Sequence, residues 1–516
     1  MRKFYTLILG AMMATPLMAQ NNVNTYPADV ANDYVDLLLD MVPTTPGFTP
    51  PVASRSFGYI GLSLYESLQP GIPNKGSLSG FANELSNLPE ADANTNYHWP
   101  TVANNALATI IDSLYYNTPQ TNKDLLHGLR DTYNAAYASE ENYDESVAYG
   151  VAVANAIFEY SSVDGGHHCQ VANFPASYIP PVGDGLWEPL VVNGTEQKAL
   201  QPYWGNNRAF AAVNEDDAIM PVEFLPEFST DEASSWHLAQ DEVYNVGLNL
   251  TSEQSTIANW WADGSGTITP PGHSMSMARS LLIQENADLE KAAITFGMLG
   301  LSLSDAFMVC WKTKFIYNTE RPVTYIQEQI DAAWSPLIST PPFPEFPSGH
   351  SSQSGAMGTV LTYLFGENVS FTDETWTNTW GPARTFNSIW EAAEEAAVSR
   401  LYGGIHPAYG NQGGLSLGTD IGNNIIDLFE EASVVVSTEE LAANTITVYP
   451  NPAKDVLFIA DQKPAQMIRL FNTQGQLAMQ QTNTNRLNIA ELQTGVYIVE
   501  ITTADNSVMH KQIIKN

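Results

Sequence analysis

The chain has 516 residues, with 21 Lys and Arg against 56 Asp and Glu and a formal net charge of −35. That length exceeds one typical domain and predicts two or three units around a large buried core. That charge argues against nucleic acid and anionic membrane surfaces as partners, since a polyphosphate ligand is repelled at long range.

Residues 1–19, MRKFYTLILGAMMATPLMA, combine two cations, a short apolar core and a small residue at Ala19. This is the layout of a secretory signal peptide, with cleavage expected after Ala19. The apolar run is too short to span a bilayer, and no later segment carries about 18 uninterrupted apolar residues, so no membrane span is expected. Cys169 and Cys310 permit at most one intramolecular disulfide. Cys310, in the apolar run AFMVCW, reads as a buried thiol.

From residue 20 to about 435 the chain is rich in alanine and in apolar residues at helical spacing, as in VANNALATIIDSLYYN, SVAYGVAVANAIFEY and EKAAITFGMLGLSLSDAFMVCWKTKF. The pattern predicts a mainly α body, with the Pro/Gly-rich stretch from Pro175 to Asn207 as ordered loop. After a linker at 436–444 the pattern changes to short alternating runs, TITVYPNP, VLFIA, MIRLFN, GVYIVEITT and KQIIKN, separated by turn signals. Residues 445–516 are therefore expected to form a small β-sandwich.

Three stretches of the helical body carry charge in places that invite a ligand. In KFIYNTERP, Lys314 precedes Arg321 by seven residues, nearly two helical turns, so both cations are expected on one face of a helix that Pro322 ends. In FPEFPSGHSSQSGA, Ser348 is a good N-cap, Gly349 lets backbone approach a ligand, and His350 falls in the first turn of a helix. The free amides at such an end favour an anion, above all a tetrahedral oxyanion. In EAAEEAAVSRLYGGIHPAYGNQGG, a helix finishes near Gly403 and Gly404 with Arg400 in its last turn and His406 just beyond. Each stretch alone has an ordinary reading as a capped helix or solvated charge. Together they supply three cations, helix-end amides and two histidines, an inventory suited to one oxyanion.

These motifs, K-x6-R-P at Lys314–Pro322, P-S-G-H at Pro347–His350 and S-R-x5-H at Ser399–His406, resemble the type 2 phosphatidic acid phosphatase (PAP2) and vanadium haloperoxidase superfamily in order and separation. The likeness covers residues 255–430 best. It implies a helical bundle at 20–435 and an oxyanion held by Lys314, Arg321, Ser348, Gly349, Arg400 and His406. In the phosphatases of this superfamily the residue matching His406 attacks phosphorus and that matching His350 protonates the leaving oxygen. In the haloperoxidases the matching His406 is bonded to vanadium in vanadate, Lys314 activates peroxide, and His350 acts as acid or base while halide is oxidised to hypohalous acid. Trp311, three residues before Lys314, and Phe343, seven before His350, lie in WKTK and PPFPEFPSGH, stretches that look like the chloroperoxidase branch and imply a halide pocket.

The substrates so implied are hydrogen peroxide, halide and an organic acceptor, with vanadate as cofactor. The alternatives are a secreted acid phosphatase working through a phosphohistidine without vanadate, and a noncatalytic surface binding protein. NWWADGSGTITPPGH resembles a haloperoxidase stretch in which an aspartate supports the pocket, which implies that Asp263 pairs with Arg400; His273 reads as structural. Many members carry an aspartate four residues after the last histidine, where this chain has Gly410. Asn411 or a backbone carbonyl is expected to orient His406 instead.

The β-tail, through VYPNPAKDVLFI, NTQGQL, LQTGVYIVEI and HKQIIKN, resembles the type A C-terminal sorting domain of the type IX secretion system of Bacteroidetes. That likeness implies handling by the type IX machinery and export through the periplasm to the medium or the outer-membrane surface.

Overall fold

The computed structural model describes residues 22–212, 222–443, 447–460, 465–472, 476–502 and 508–516; the signal peptide expected at 1–19 lies outside them. The chain divides into two compact units, Met1–Val434 and Val435–Asn516.

The first unit is a helical bundle built on the pair Pro50–Leu68 and Leu289–Tyr317. The two helices run antiparallel and nearly touch backbone to backbone. A Cβ on Gly61 would sit 2.3 Å from the Phe296 carbonyl oxygen, and one on Gly300 would sit 2.4 Å from that of Phe57, so only glycine permits this crossing. The helix Leu289–Tyr317 is long and apolar enough to cross a bilayer, but most of its apolar residues are buried inside the bundle. A helix hydrophobic on all sides is here the core of a large domain. Its one mid-helix carboxylate, Asp305, is buried and accepts the Phe210 and Ala211 amides at 2.8 and 2.9 Å. Those bonds offset the cost of placing it there.

The helix ends before the sequence pattern suggests. Asn318 adopts a left-handed cap (φ 48°), and a new helix, Pro322–Gln329, opens with Arg321 as its N-cap. The expectation that Lys314 and Arg321 share one helix is therefore corrected. Asparagine tolerates the left-handed cap and proline is pre-organised for a first helical turn, so Pro322 begins a helix rather than ending one. The stretch from Pro175 to Asn207 is ordered loop that clasps this break. The Trp187 amide donates to the Asn318 carbonyl at 2.7 Å, the Glu320 amide to Gly185 at 2.9 Å, and the Leu200 amide to Pro342 at 2.9 Å.

Two further helices complete the frame. Gly349–Phe365 is capped by Ser348, whose hydroxyl accepts the Ser351 amide, and Ile389–Tyr402 carries Arg400 in its last turn. The final helix, Ala408–Ala443, continues through most of the segment expected to be a linker. Cys169 and Cys310 are both buried free thiols.

The second unit has two antiparallel sheets. One has four strands in the order Val508–Lys515, Gly495–Thr502, Ala465–Asn472, Leu477–Thr484; the other places Val456–Ala460 between Thr447–Tyr449 and Arg486–Asn488. Their alternating side chains enclose a separate core that includes Leu457, Ile468, Leu470, Leu487, Val499 and Ile513, the sandwich expected from period-two patterning.

Candidate active site

The segment Phe343–Pro344–Glu345 gathers the groups that the sequence holds apart. The Lys314 ammonium donates to the carbonyls of Pro344 (2.8 Å) and Glu345 (2.7 Å). The Arg321 Nε donates to the carbonyl of Phe343 at 2.8 Å, and both cations lie over the Phe343 ring, 5.1 and 4.9 Å from its centre. From the other side Arg321 Nη1 reaches the Ile405 carbonyl at 3.0 Å and His406 Nε2 at 3.2 Å. The remaining Arg321 nitrogen, Nη2, is buried with no hydrogen-bond partner.

His406 is buried between that guanidinium and a carboxylate. Its Nδ1 lies 2.7 Å from Glu345 Oε1. This overturns the expectation that Asn411 orients the ring: the Asn411 Oδ1 accepts instead from the Ser351 hydroxyl at 3.3 Å. Sequence reading missed Glu345. Its signal was an acid set among prolines beside the Ser-Gly-His turn, a costly place for a carboxylate without a partner.

Arg400 is also fully buried. Its Nε donates to the Ser399 hydroxyl at 2.9 Å and Nη2 to the Ala258 carbonyl at 3.2 Å. The expected pairing of Asp263 with Arg400 is corrected, because Asp263 meets His273 Nδ1 at 2.9 Å and accepts the Trp376 indole at 2.8 Å. It acts on Arg400 only as a nearby charge. His273 bridges on to Asp373 at 2.8 Å and stacks on Trp261. It is structural, as expected.

His350 opens the helix Gly349–Phe365. Its Nε2 is buried without a partner, and the backbone of Ala262 and Trp261 lies against the ring. Trp311 and Phe343 pack 4.8 Å apart, with the Trp311 indole N–H turned away to the Leu200 carbonyl. With Pro50, Pro270, Phe307, Pro341 and Ile405 they line an almost wholly apolar cavity of about 40 Å³ that touches Gly349, His350 and His406.

Burial without enough counter-charge governs the electrostatics. It lowers Lys314 to about 7, with the Arg321 charge adding to the effect and Glu345 opposing it. It lowers Arg321 to about 10 against the pull of Glu345, and Arg400 to about 10 against that of Asp263. His406 is held well below its ordinary value by burial and then by Arg321 and Lys314, and His350 by burial and then by Arg400. Glu345 is pushed up to about 7 by burial, opposed by Lys314 and Arg321. Such a site is short of negative charge, and an entering anion would relieve every cation in it. The unpartnered Arg321 Nη2 and His350 Nε2, together with the helix-end amides at Gly349 and His350, fit a tetrahedral oxyanion such as vanadate or phosphate. Among the described residues no group of three or more His, Cys, Asp or Glu could hold a bare metal ion.

The chain is similar to known proteins in both of its units. Residues 294–433 match a family described as the VCPO second helical-bundle domain, and residues 447–515 match the secretion system C-terminal sorting domain. The crystal structure described as the first bacterial vanadium-dependent iodoperoxidase is 31% identical with a TM-score of 0.68, covering 78% of this chain and 96% of that one. A holo-type bacterial vanadium-dependent chloroperoxidase shares the fold at 15% identity and TM-score 0.59, over 82% of this chain and 100% of its own. The vanadium chloroperoxidase of Curvularia inaequalis is 24% identical over 224 residues, which span 31% of this chain and 37% of that protein.

The chain belongs to the vanadium-dependent haloperoxidase and PAP2 superfamily. Its tail is a secretion-system sorting domain, which marks the protein for secretion.

Proposed function

We propose that the protein is a vanadate-dependent haloperoxidase that oxidises halide with hydrogen peroxide to hypohalous acid, which passes to an organic acceptor. The reading is carried by the cavity at His350 and His406: about 40 Å³ with an almost wholly apolar wall. A dry wall of aromatic and proline side chains suits peroxide or a partly desolvated halide at the edge of the cage.

In this reading Arg321, Arg400 and Lys314 neutralise the oxyanion, the Ser348 hydroxyl and the Gly349 amide donate to it, and His406 presents its Nε2 as the metal ligand. Bound vanadate would supply a Lewis-acidic centre that activates peroxide toward a nucleophilic halide. Lys314, beside that centre, would place its charge where it draws electron density from peroxide and leaves an oxygen open to attack by halide. His350, neutral at ordinary pH, is the group that takes and returns a proton at Nε2. Trp311 and Phe343 exclude bulk water and oblige a halide to shed part of its hydration before it reaches the cage. An amino-terminal signal peptide followed by type IX handling would deliver the enzyme through the periplasm to the medium or outer surface of a Bacteroidetes cell, where peroxide and halide are at hand.

Mature protein loaded with orthovanadate and assayed for peroxide-dependent halogenation of a dione dye tests the reading against the phosphatase alternative. Halogenation that requires vanadate, with little nitrophenyl phosphate hydrolysis in its absence, is the expected result. Strong hydrolysis that vanadate only inhibits would overturn it.

A further inference from the structure

We propose that Glu345 is the positioning residue for His406, and that position 410 is glycine because the Glu345 carboxylate occupies the space a side chain there would fill. The inference rests on the reading of His406 as the residue that bonds the oxyanion through Nε2.

The hydrogen-bond pattern requires one tautomer. Arg321 Nη1, 3.2 Å from His406 Nε2, can only donate, so Nε2 must accept. The single proton of the neutral ring is then on Nδ1 and points at Glu345 Oε1, 2.7 Å away. A carboxylate on the far nitrogen holds the imidazole in plane and makes Nε2 a better electron donor. Glu345 is itself held from both sides. Its amide donates to the Thr319 carbonyl at 3.0 Å, its carbonyl accepts Lys314 at 2.7 Å, and the next amide, that of Phe346, donates to the Thr319 hydroxyl at 2.8 Å. The backbone that carries the carboxylate is thus pinned on both sides.

Gly410 supplies the complementary observation. It lies in the first turn of the helix Ala408–Ala443 and is not among the glycines with positive φ, so its backbone conformation does not demand glycine. Space does. A Cβ there would stand 2.0 Å from Glu345 Oε1 and 3.0 Å from Cδ, well inside van der Waals contact. A side chain at 410 would therefore push the flexible Glu345 carboxylate out of its place beside His406.

The test is a mutational cycle on the full chain, read by isothermal titration with orthovanadate, with thermal melts to confirm folding. Glu345→Ala should weaken vanadate binding about 10- to 100-fold, and the near-isosteric Glu345→Gln should also weaken it. Gly410→Ala should weaken binding in the native background yet have no further effect once Glu345 is alanine. The double variant Glu345→Ala, Gly410→Asp, which returns a carboxylate from the other side, should regain at least tenfold of the loss, a rescue that a purely structural role for Glu345 would not give. Binding by Glu345→Ala and Glu345→Gln within twofold of the native protein, or equal damage from Gly410→Ala in both backgrounds, overturns the proposal. A flat cycle in a protein that halogenates removes the proposal and leaves the function standing. The expected cycle in a protein that binds vanadate but does not halogenate removes the function and leaves the proposal. A native chain that binds no vanadate removes both.

Discussion

Arg321 shows how one residue joins the parts of this site. Its guanidinium touches the Phe343 carbonyl, the Ile405 carbonyl and His406 Nε2, and still has one buried nitrogen with no partner. Only a planar fork can serve three fixed acceptors and keep a further donor free. Arg321→Lys retains the charge but loses the fork, so orthovanadate binding measured by titration should weaken by at least about tenfold; unchanged affinity would mean that charge alone matters. At this scale the sequence was readable where the chemistry is local. Ser348, Gly349 and His350 stand together at the start of one helix, so a short motif announces them. Glu345 and Asp263 were not readable in the same way, since their partners, His406 and His273, are chosen by packing of distant segments.

The same division holds for whole elements. The helix Leu289–Tyr317 is legible from its unbroken apolar pattern, but its end is not. The left-handed turn at Asn318 and the helix start at Pro322 break the chain between Lys314 and Arg321, and their seven-residue separation in sequence is the same whether or not the helix continues. The clamp Asp263–His273–Asp373, which fastens the helix Thr269–Gln284 to the strand Phe371–Asp373, is a tertiary feature with a measurable signature. Burial alone would lower the His273 pKa, yet the charges and hydrogen bonds of Asp263 and then Asp373 overcome it and raise the group to about 10. A folded value above the unfolded one of about 6.5 means that the clamp's contribution is complete below about pH 6.5 and is lost as pH rises toward 10. The His273 contribution is therefore read as a difference: relative to His273→Gln, native protein should lose on the order of a few kcal/mol across that interval in urea melts, because the lowered Lys314 value moves the total the opposite way in both proteins. An equal pH dependence in both would show that the imidazole is neutral in the folded state.

For the molecule as a whole, the pattern changes from helical to period-two near residue 435, and the chain divides into two units, Met1–Val434 and Val435–Asn516, each with hydrophobic packing of its own. Calorimetry should resolve two unfolding transitions, and deletion of residues 447–516 should remove one while leaving the other and vanadate binding unchanged; a single merged transition would contradict independent cores. The strong acidity belongs to this scale too. A chain of net charge −35 that buries Lys314, Arg321 and Arg400 near His406 keeps its surface repellent to polyanions and, on the proposed reading, reserves an anion site inside. The account as a whole depends on that buried site. Crystals of the native protein soaked in orthovanadate test it most directly: vanadium should appear within bonding distance of His406 Nε2, with its oxygens on Lys314, Arg321, Arg400 and the Gly349 amide. Vanadate bound elsewhere, or a cage whose cations face away from it, would contradict the account.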